Sequence, residues 1–294
     1  LKKIKYDTLR IFPYLLCNYK CKYCTAYTQF NTPFRYKEYE LMTAQKWLEI
    51  LNNKNIYELF SASYQIIISG GEPTLWKDFK ILCDGLEYRN IVIYSNISKT
   101  AYNKLCSLEK PVKIYPSFHH KEEMKHGHYD NIHEAYRAWY RRLLDLKLCG
   151  HKIYIVHCPD DGSKEIHELS SWILKTKIEG DWNGEFYSPY LMECRVKSKE
   201  YRKVKCHTQH FNIAPDGSIY NCQAGLWSKR EDMVIGNAKT INWAEFPEFV
   251  ECNWCGACHP CAQQKAIIDM NDNVITDGFQ YKPLLEQMKQ RKVA

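Results

Sequence analysis

The chain has 294 residues, 45% of them hydrophobic and 26% charged, which is the composition of a globular protein with room for one large domain and an appendage. No apolar run reaches the length of a membrane span, and the polar start Leu1-Lys2-Lys3-Ile4-Lys5 is no signal peptide, so a cytoplasmic protein without a membrane partner is expected. The net charge of +7 is spread along the chain instead of gathered in a basic block, which argues against a nucleic-acid partner, and the 14 cysteines lie in tight groups that suit metal ligation better than a disulfide framework.

Strand and helix patterns alternate up to about residue 190. Leu9 to Leu16 reads as a buried strand, and Cys17, Cys21 and Cys24 follow on the loop that leaves it. Thr43 caps a helix carrying Trp47, Leu48 and Leu51 on one face. Tyr64 to Ile68 is a strand that ends in Ser69-Gly70-Gly71-Glu72-Pro73, and Trp76 to Leu86 is a helix. Ile91 to Tyr94 is a strand ending in Ser95-Asn96, and Lys99 to Leu108 is a helix stopped by Pro111. Val112 to Tyr115 is a strand ending in Pro116-Ser117-Phe118-His119-His120. Asn131 to Cys149 is a long helix with Ala135, Trp139, Leu143 and Leu146 along one face, ended by Gly150. Ile153 to Val156 is a strand, Ser163 caps a helix, and Glu185-Phe186-Tyr187 begins a sixth strand. Cys83, Cys106, Cys149 and Cys158 fall in or beside apolar segments and read as buried small hydrophobes.

Nearly continuous apolar strands joined by helices predict an α/β fold with a parallel sheet. In such folds the active site lies at the C-terminal ends of the strands, where the three thiols also fall. Three soft thiolates within eight residues can hold three corners of an iron–sulfur cluster and leave the fourth iron open. A zinc site or a chance cluster of thiols is the alternative.

The C-x3-C-x2-C spacing, with Tyr19 and Tyr23 inside it, resembles the signature of the radical S-adenosylmethionine (SAM) enzymes. The resemblance implies a (βα)6 partial TIM barrel whose open iron chelates SAM and whose cluster electron releases a 5′-deoxyadenosyl radical. It also implies that Gly70, Gly71, Glu72 and Pro73 are the motif that holds the SAM amino group. Ser95 and Asn96 then match residues at the ribose and carboxylate, and Ser117 matches a SAM-contacting serine. Relatives often carry an acid where this chain has His119, which the sequence leaves open between pocket wall and surface.

A second cysteine group follows residue 190: Cys194, Cys206, Cys222, Cys252, Cys255, Cys258 and Cys261. Pro215-Asp216-Gly217 between alternating runs marks a hairpin that brings Cys206 and Cys222 toward one centre. This pattern resembles the SPASM or shorter twitch extension of the same family, a small Cys-rich domain of β-hairpin and helix. The expected ligands of an auxiliary [4Fe–4S] cluster are Cys206, Cys222 and two of Cys252, Cys255, Cys258 and Cys261. Two auxiliary clusters, or a zinc knuckle on the last four, are the alternatives.

The expected domains are a barrel over 1–190, an auxiliary-cluster domain over 191–261 and a helical tail over 262–294. The expected activity is oxidation of a small molecule such as a sugar or cyclitol, with flavodoxin or ferredoxin as reductant. The first residues run straight into strand one, which favours a small molecule over a ribosomal peptide. A peptide- or protein-modifying maturase is the alternative, and a non-catalytic iron–sulfur carrier or sensor the second. A carrier has no use for the Gly70-Gly71-Glu72-Pro73 motif.

Overall fold

The computed structural model describes residues 6–21, 24, 39–87, 90–157, 202–208, 210–220, 223–227, 229–246, 250–255 and 264–268. The parallel core contains β1 (Tyr6–Tyr14), β2 (Phe60–Gly70), β3 (Ile91–Ser95) and β4 (Lys113–Phe118). Two short pairings on β4, β5 (Lys152–Ile153) and β6 (Val156–His157), stand where one fifth strand is expected. These strands lie side by side in chain order and all run parallel. The expected sixth strand, the helix after Ser163 and most of the tail expected over 262–294 lie outside the described residues; the described part of that tail, Gln264–Ile268, is a strand instead of a helix.

Helices α1 (Ala44–Leu51), α2 (Lys54–Tyr57), α3 (Phe79–Gly85), α4 (Lys99–Cys106), α5 (His120–Gly127) and α6 (Ile132–Leu148) fill the connections. The caps read from sequence are present: Thr43 accepts from the Lys46 N–H and Asn131 from the Glu134 N–H. Trp76 lies in the turn ahead of α3 instead of on the helix. Alternate residues Leu9, Ile11, Ile66, Ile68, Ile91, Ile93 and Ile114 point to the helices and pack with Trp47, Trp76, Phe79 and Trp139. Helix α5 has no counterpart in the sequence reading, because it buries only His120 and Glu123 and carries no apolar stripe. Cys83 is buried as expected, whereas Cys149 is exposed, being the residue that closes α6.

The predicted hairpin forms from β8 (His210–Ile213) and β9 (Ser218–Tyr220), with the turn at Pro215, Asp216 and Gly217. Its place in the fold is not predicted: β8 pairs parallel to β1, with Leu9 opposite Phe211 and Ile11 opposite Ile213. Strand β10 (Val234–Asn237) extends the same sheet beyond β9. On the other face of β1, Phe12 and Leu15 pack with Ala214, Tyr220, Leu226 and Met233. Leu226 belongs to helix α7 (Gln223–Trp227). The hairpin thus grips the end of β1 three residues before Cys17.

A second sheet holds β7 (Arg202–Thr208) between β11 (Val250–Cys255) and β12 (Gln264–Ile268). Cys206 lies on β7, outside the hairpin, and β8 separates it from the turn at 215–217. Among the described residues no helix is long and apolar enough to cross a membrane.

Candidate functional site

A cavity of about 380 Å3 opens at the C-terminal ends of β1 to β4. Cys17, Cys21 and Cys24 line it together with Gly70, Gly71, Ser95, Asn96 and Ser117, which the sequence places at the ends of β2, β3 and β4. Leu15, Tyr19, Lys20, Tyr94 and His119 complete much of the wall. Tyr94 continues along the inner face of the sheet as a stack with Tyr115 and Tyr154, at centroid spacings of 5.1 and 5.2 Å. Its signal in the sequence is a tyrosine closing the aliphatic run Ile91-Val92-Ile93.

The thiol loop is fastened on two sides. Where it leaves β1, the N–H of Gly71 donates to Tyr14 O at 3.2 Å and that of Glu72 to Leu16 O at 2.9 Å. A Cβ on Gly71 would sit 2.3 Å from Leu16 O, and one on Gly70 would sit 2.0 Å from Tyr14 O. The glycines therefore serve backbone packing against β1. The Gly71 and Glu72 N–H groups are taken up by Tyr14 O and Leu16 O.

Glu72 and Pro73, expected at the SAM amino group, are buried behind the cavity wall. Glu72 is 1% exposed and ties three strand ends together. Its Oε1 accepts from the Thr74 N–H and hydroxyl and from Ser95 Oγ, and its Oε2 accepts from the Asn96 N–H at 2.7 Å. Burial pushes its carboxyl above the usual range, and the hydrogen bonds from Asn96, Thr74 and Ser95 oppose that shift. Ser95 Oγ also accepts from the Ile97 N–H, and Asn96 Oδ1 accepts from the Ser98 N–H. These side-chain turns hold Ile97 at φ 51°, a costly value for a β-branched residue. The resulting bend places Asn96 Nδ2 2.8 Å from Asn18 Oδ1 and 3.8 Å from Cys17 Sγ.

On its other side the loop is held by Tyr19. Its hydroxyl donates to the buried Glu123 of α5, whose second oxygen pairs with Arg142 of α6. The Tyr19 ring stacks on His126 at 5.2 Å and 23°. Burial, and then Glu123, push the Tyr19 hydroxyl well above its ordinary pKa, so it stays a donor.

The donor set fits an iron–sulfur cluster. Cys17 is exposed as a residue, yet desolvation of its sulfur, reinforced by Glu72, Cys21 and Cys24, pushes its pKa up to about 12. The Tyr19 N–H, 3.4 Å from the sulfur, offsets part of that shift. Three thiolates so placed need a strongly cationic centre among them. Among the described residues no three Cys, His, Asp or Glu side chains converge on a point that one metal ion would fill.

In the second sheet, Cys206 pairs with Val250 and Cys252 with Val204, two register positions apart on neighbouring strands. Cys255 pairs with Arg202 at the far end of the same ladder. Cys194, Cys222, Cys258 and Cys261 lie outside the described residues.

The architecture is the parallel partial barrel expected from the resemblance, with a cysteine loop at the mouth. The same fold occurs in native anSMEcpe with bound AdoMet and the Cp18Cys peptide, at a TM-score of 0.50 and 17% identity over 81% of this chain and 79% of that one. It occurs also in native anSMEcpe with bound AdoMet alone, at 0.50 and 14% over 82% and 81%. Streptococcus suis SuiB bound to S-adenosylmethionine matches at 0.44 and 17% over 83% of this chain, which spans 65% of that chain. No family model and no curated protein matches the sequence.

Proposed function

We propose that the protein is a radical SAM enzyme. One observation carries the reading: the C-x3-C-x2-C thiols and three strand ends, Gly70-Gly71, Ser95-Asn96 and Ser117, meet at one cavity in a fold that also holds AdoMet in anSMEcpe. Cys17, Cys21 and Cys24 would hold a [4Fe–4S] cluster, with SAM against the fourth iron and along the wall of Gly70, Gly71, Ser95, Asn96 and Ser117. When bound, the pair supplies an electron that splits SAM into methionine and a 5′-deoxyadenosyl radical, which takes a hydrogen atom from substrate. The chain's own part is positional. Gly71 and Glu72 fix the loop to β1, Asn96 fixes it to β3, and Tyr19 with Glu123 fixes it to α5.

For the substrate, the peptide bound in a structure of the same fold supports a peptide or protein segment over the sugar or cyclitol suggested by the sequence. The neighbouring positions of Cys206 and Cys252 support an auxiliary cluster in the second sheet. An auxiliary cluster there would take up the substrate electron if the outcome is oxidation, and flavodoxin or ferredoxin would supply the first electron.

The test is dithionite-driven cleavage of SAM by anaerobically reconstituted protein, read as 5′-deoxyadenosine. Wild type is expected to form it and Cys21→Ala is not. Equal yields from the two would remove the cluster from these thiols. Iron without SAM cleavage in wild type would favour a carrier or sensor.

A further inference from the structure

His119 is the first residue beyond β4 and stands at the N-cap of α5, yet its side chain makes no capping hydrogen bond. The ring turns to the cavity instead and lines it beside the thiols. Its Nδ1 lies 3.4 Å from Cys21 Sγ and its Nε2 lies 2.7 Å from Ser117 Oγ. The Tyr19 ring packs edge-on against it at 5.8 Å and 76°. The imidazole is therefore held from two sides and aimed at one of the three sulfurs.

We infer that His119 donates its Nδ1–H to the Cys21 sulfur in the loaded protein, and so raises the reduction potential of the cluster. The inference rests on the radical SAM reading and concerns the residue where related enzymes carry an acid. A ligating Cys21 is a thiolate and can only accept, so the proton must sit on Nδ1. In the neutral ring Nε2 is then bare and accepts from the Ser117 hydroxyl. Hydrogen bonds to cluster sulfurs stabilise the more negative, reduced form and raise the potential. A carboxylate at this place has no proton to give and would act in the opposite direction.

The experiment is a redox titration followed by electron paramagnetic resonance on reconstituted protein, tracking the signal that SAM perturbs, with iron counted for each variant. His119→Leu is expected to move the midpoint to a more negative value. His119→Asn, whose amide N–H falls near the place of Nδ1, is expected to return most of the shift. Ser117→Ala, which leaves the donor but loosens the ring, is expected to shift the midpoint less than His119→Leu and carries the test if His119→Leu fails to load. An unchanged midpoint in a loaded His119→Leu overturns the inference. So do equal shifts in the Leu and Asn variants, which would mark a packing role. A wild type that loads iron but shows no SAM-perturbed signal removes the radical SAM reading itself, and this inference with it.

Discussion

Gly71→Ala is the most informative single change. The new Cβ would lie 2.3 Å from Leu16 O and 2.5 Å from Leu15 O, both backbone atoms that no side-chain rotation can clear. The end of β1 must move away, and the bonds from Gly71 N–H to Tyr14 O and from Glu72 N–H to Leu16 O must lengthen or break. Two backbone hydrogen bonds contribute about 2 kcal/mol together. Steric strain in a packed interior adds about 1–3 kcal/mol. The expected loss is therefore about 3–5 kcal/mol. Gly150→Ala is the control: its φ of +90° is unfavourable, but the nearest atom, Pro111 Cγ, is 3.7 Å from the new Cβ. That change costs only the backbone term, about 1–2 kcal/mol. Urea denaturation followed by circular dichroism measures both. Since Leu16 leads directly to Cys17, iron loading should fall in Gly71→Ala and hold in Gly150→Ala. A Gly71→Ala protein no less stable than Gly150→Ala, with full iron, would refute the reasoning.

Three further outcomes follow from the same contacts. Glu72→Ala leaves the Thr74 and Asn96 N–H groups and the Thr74 and Ser95 hydroxyls without their buried acceptor, and should lose about 3–5 kcal/mol by denaturation. Glu72→Gln should lose less, because one oxygen remains. Tyr19→Phe removes the hydroxyl from the Glu123–Arg142 pair and should cost about 1.5–3 kcal/mol, and a loss no larger than that of an exposed substitution would deny the bond its role. His151 accepts from the Val112 N–H at Nδ1 and donates from Nε2 to Leu105 O, an arrangement of the neutral ring, and burial holds its pKa below the ordinary 6.5. The unfolded chain binds that proton first, so the contribution of His151 is complete above pH 6.5 and is lost as pH falls through the lowered folded pKa. His151→Asn keeps an acceptor for Val112 and should show a shallower loss of stability over that window than wild type. Parallel curves would contradict the assignment.

The parts of the site legible in the sequence were those with a local signature. The apolar strands, the cysteine spacing and the short polar segments at strand ends each announce themselves within a few residues, and the parallel fold brings them to one mouth. Helix α5 gave no such sign. It buries only His120 and Glu123, and the hydroxyl that Glu123 serves, on Tyr19, lies 104 residues away in the chain. The pairing of β8 with β1 was equally hidden, since two runs some 200 residues apart carry no mark of parallel register. Gly70-Gly71-Glu72 shows a subtler gap. The motif was recognisable and so was its place, but its geometry tightens the protein against itself before any ligand is considered. Cys149 read as buried from its apolar neighbours, yet it falls where α6 ends and the surface begins.

The central claim is that Cys17, Cys21 and Cys24 hold a cluster of their own. Iron and acid-labile sulfide counted in anaerobically reconstituted wild type, and in the variant with all three changed to alanine, test it most directly. The account predicts that the variant contains about four fewer irons and sulfides per chain, with the iron assigned to the second sheet retained. An unchanged count would contradict it.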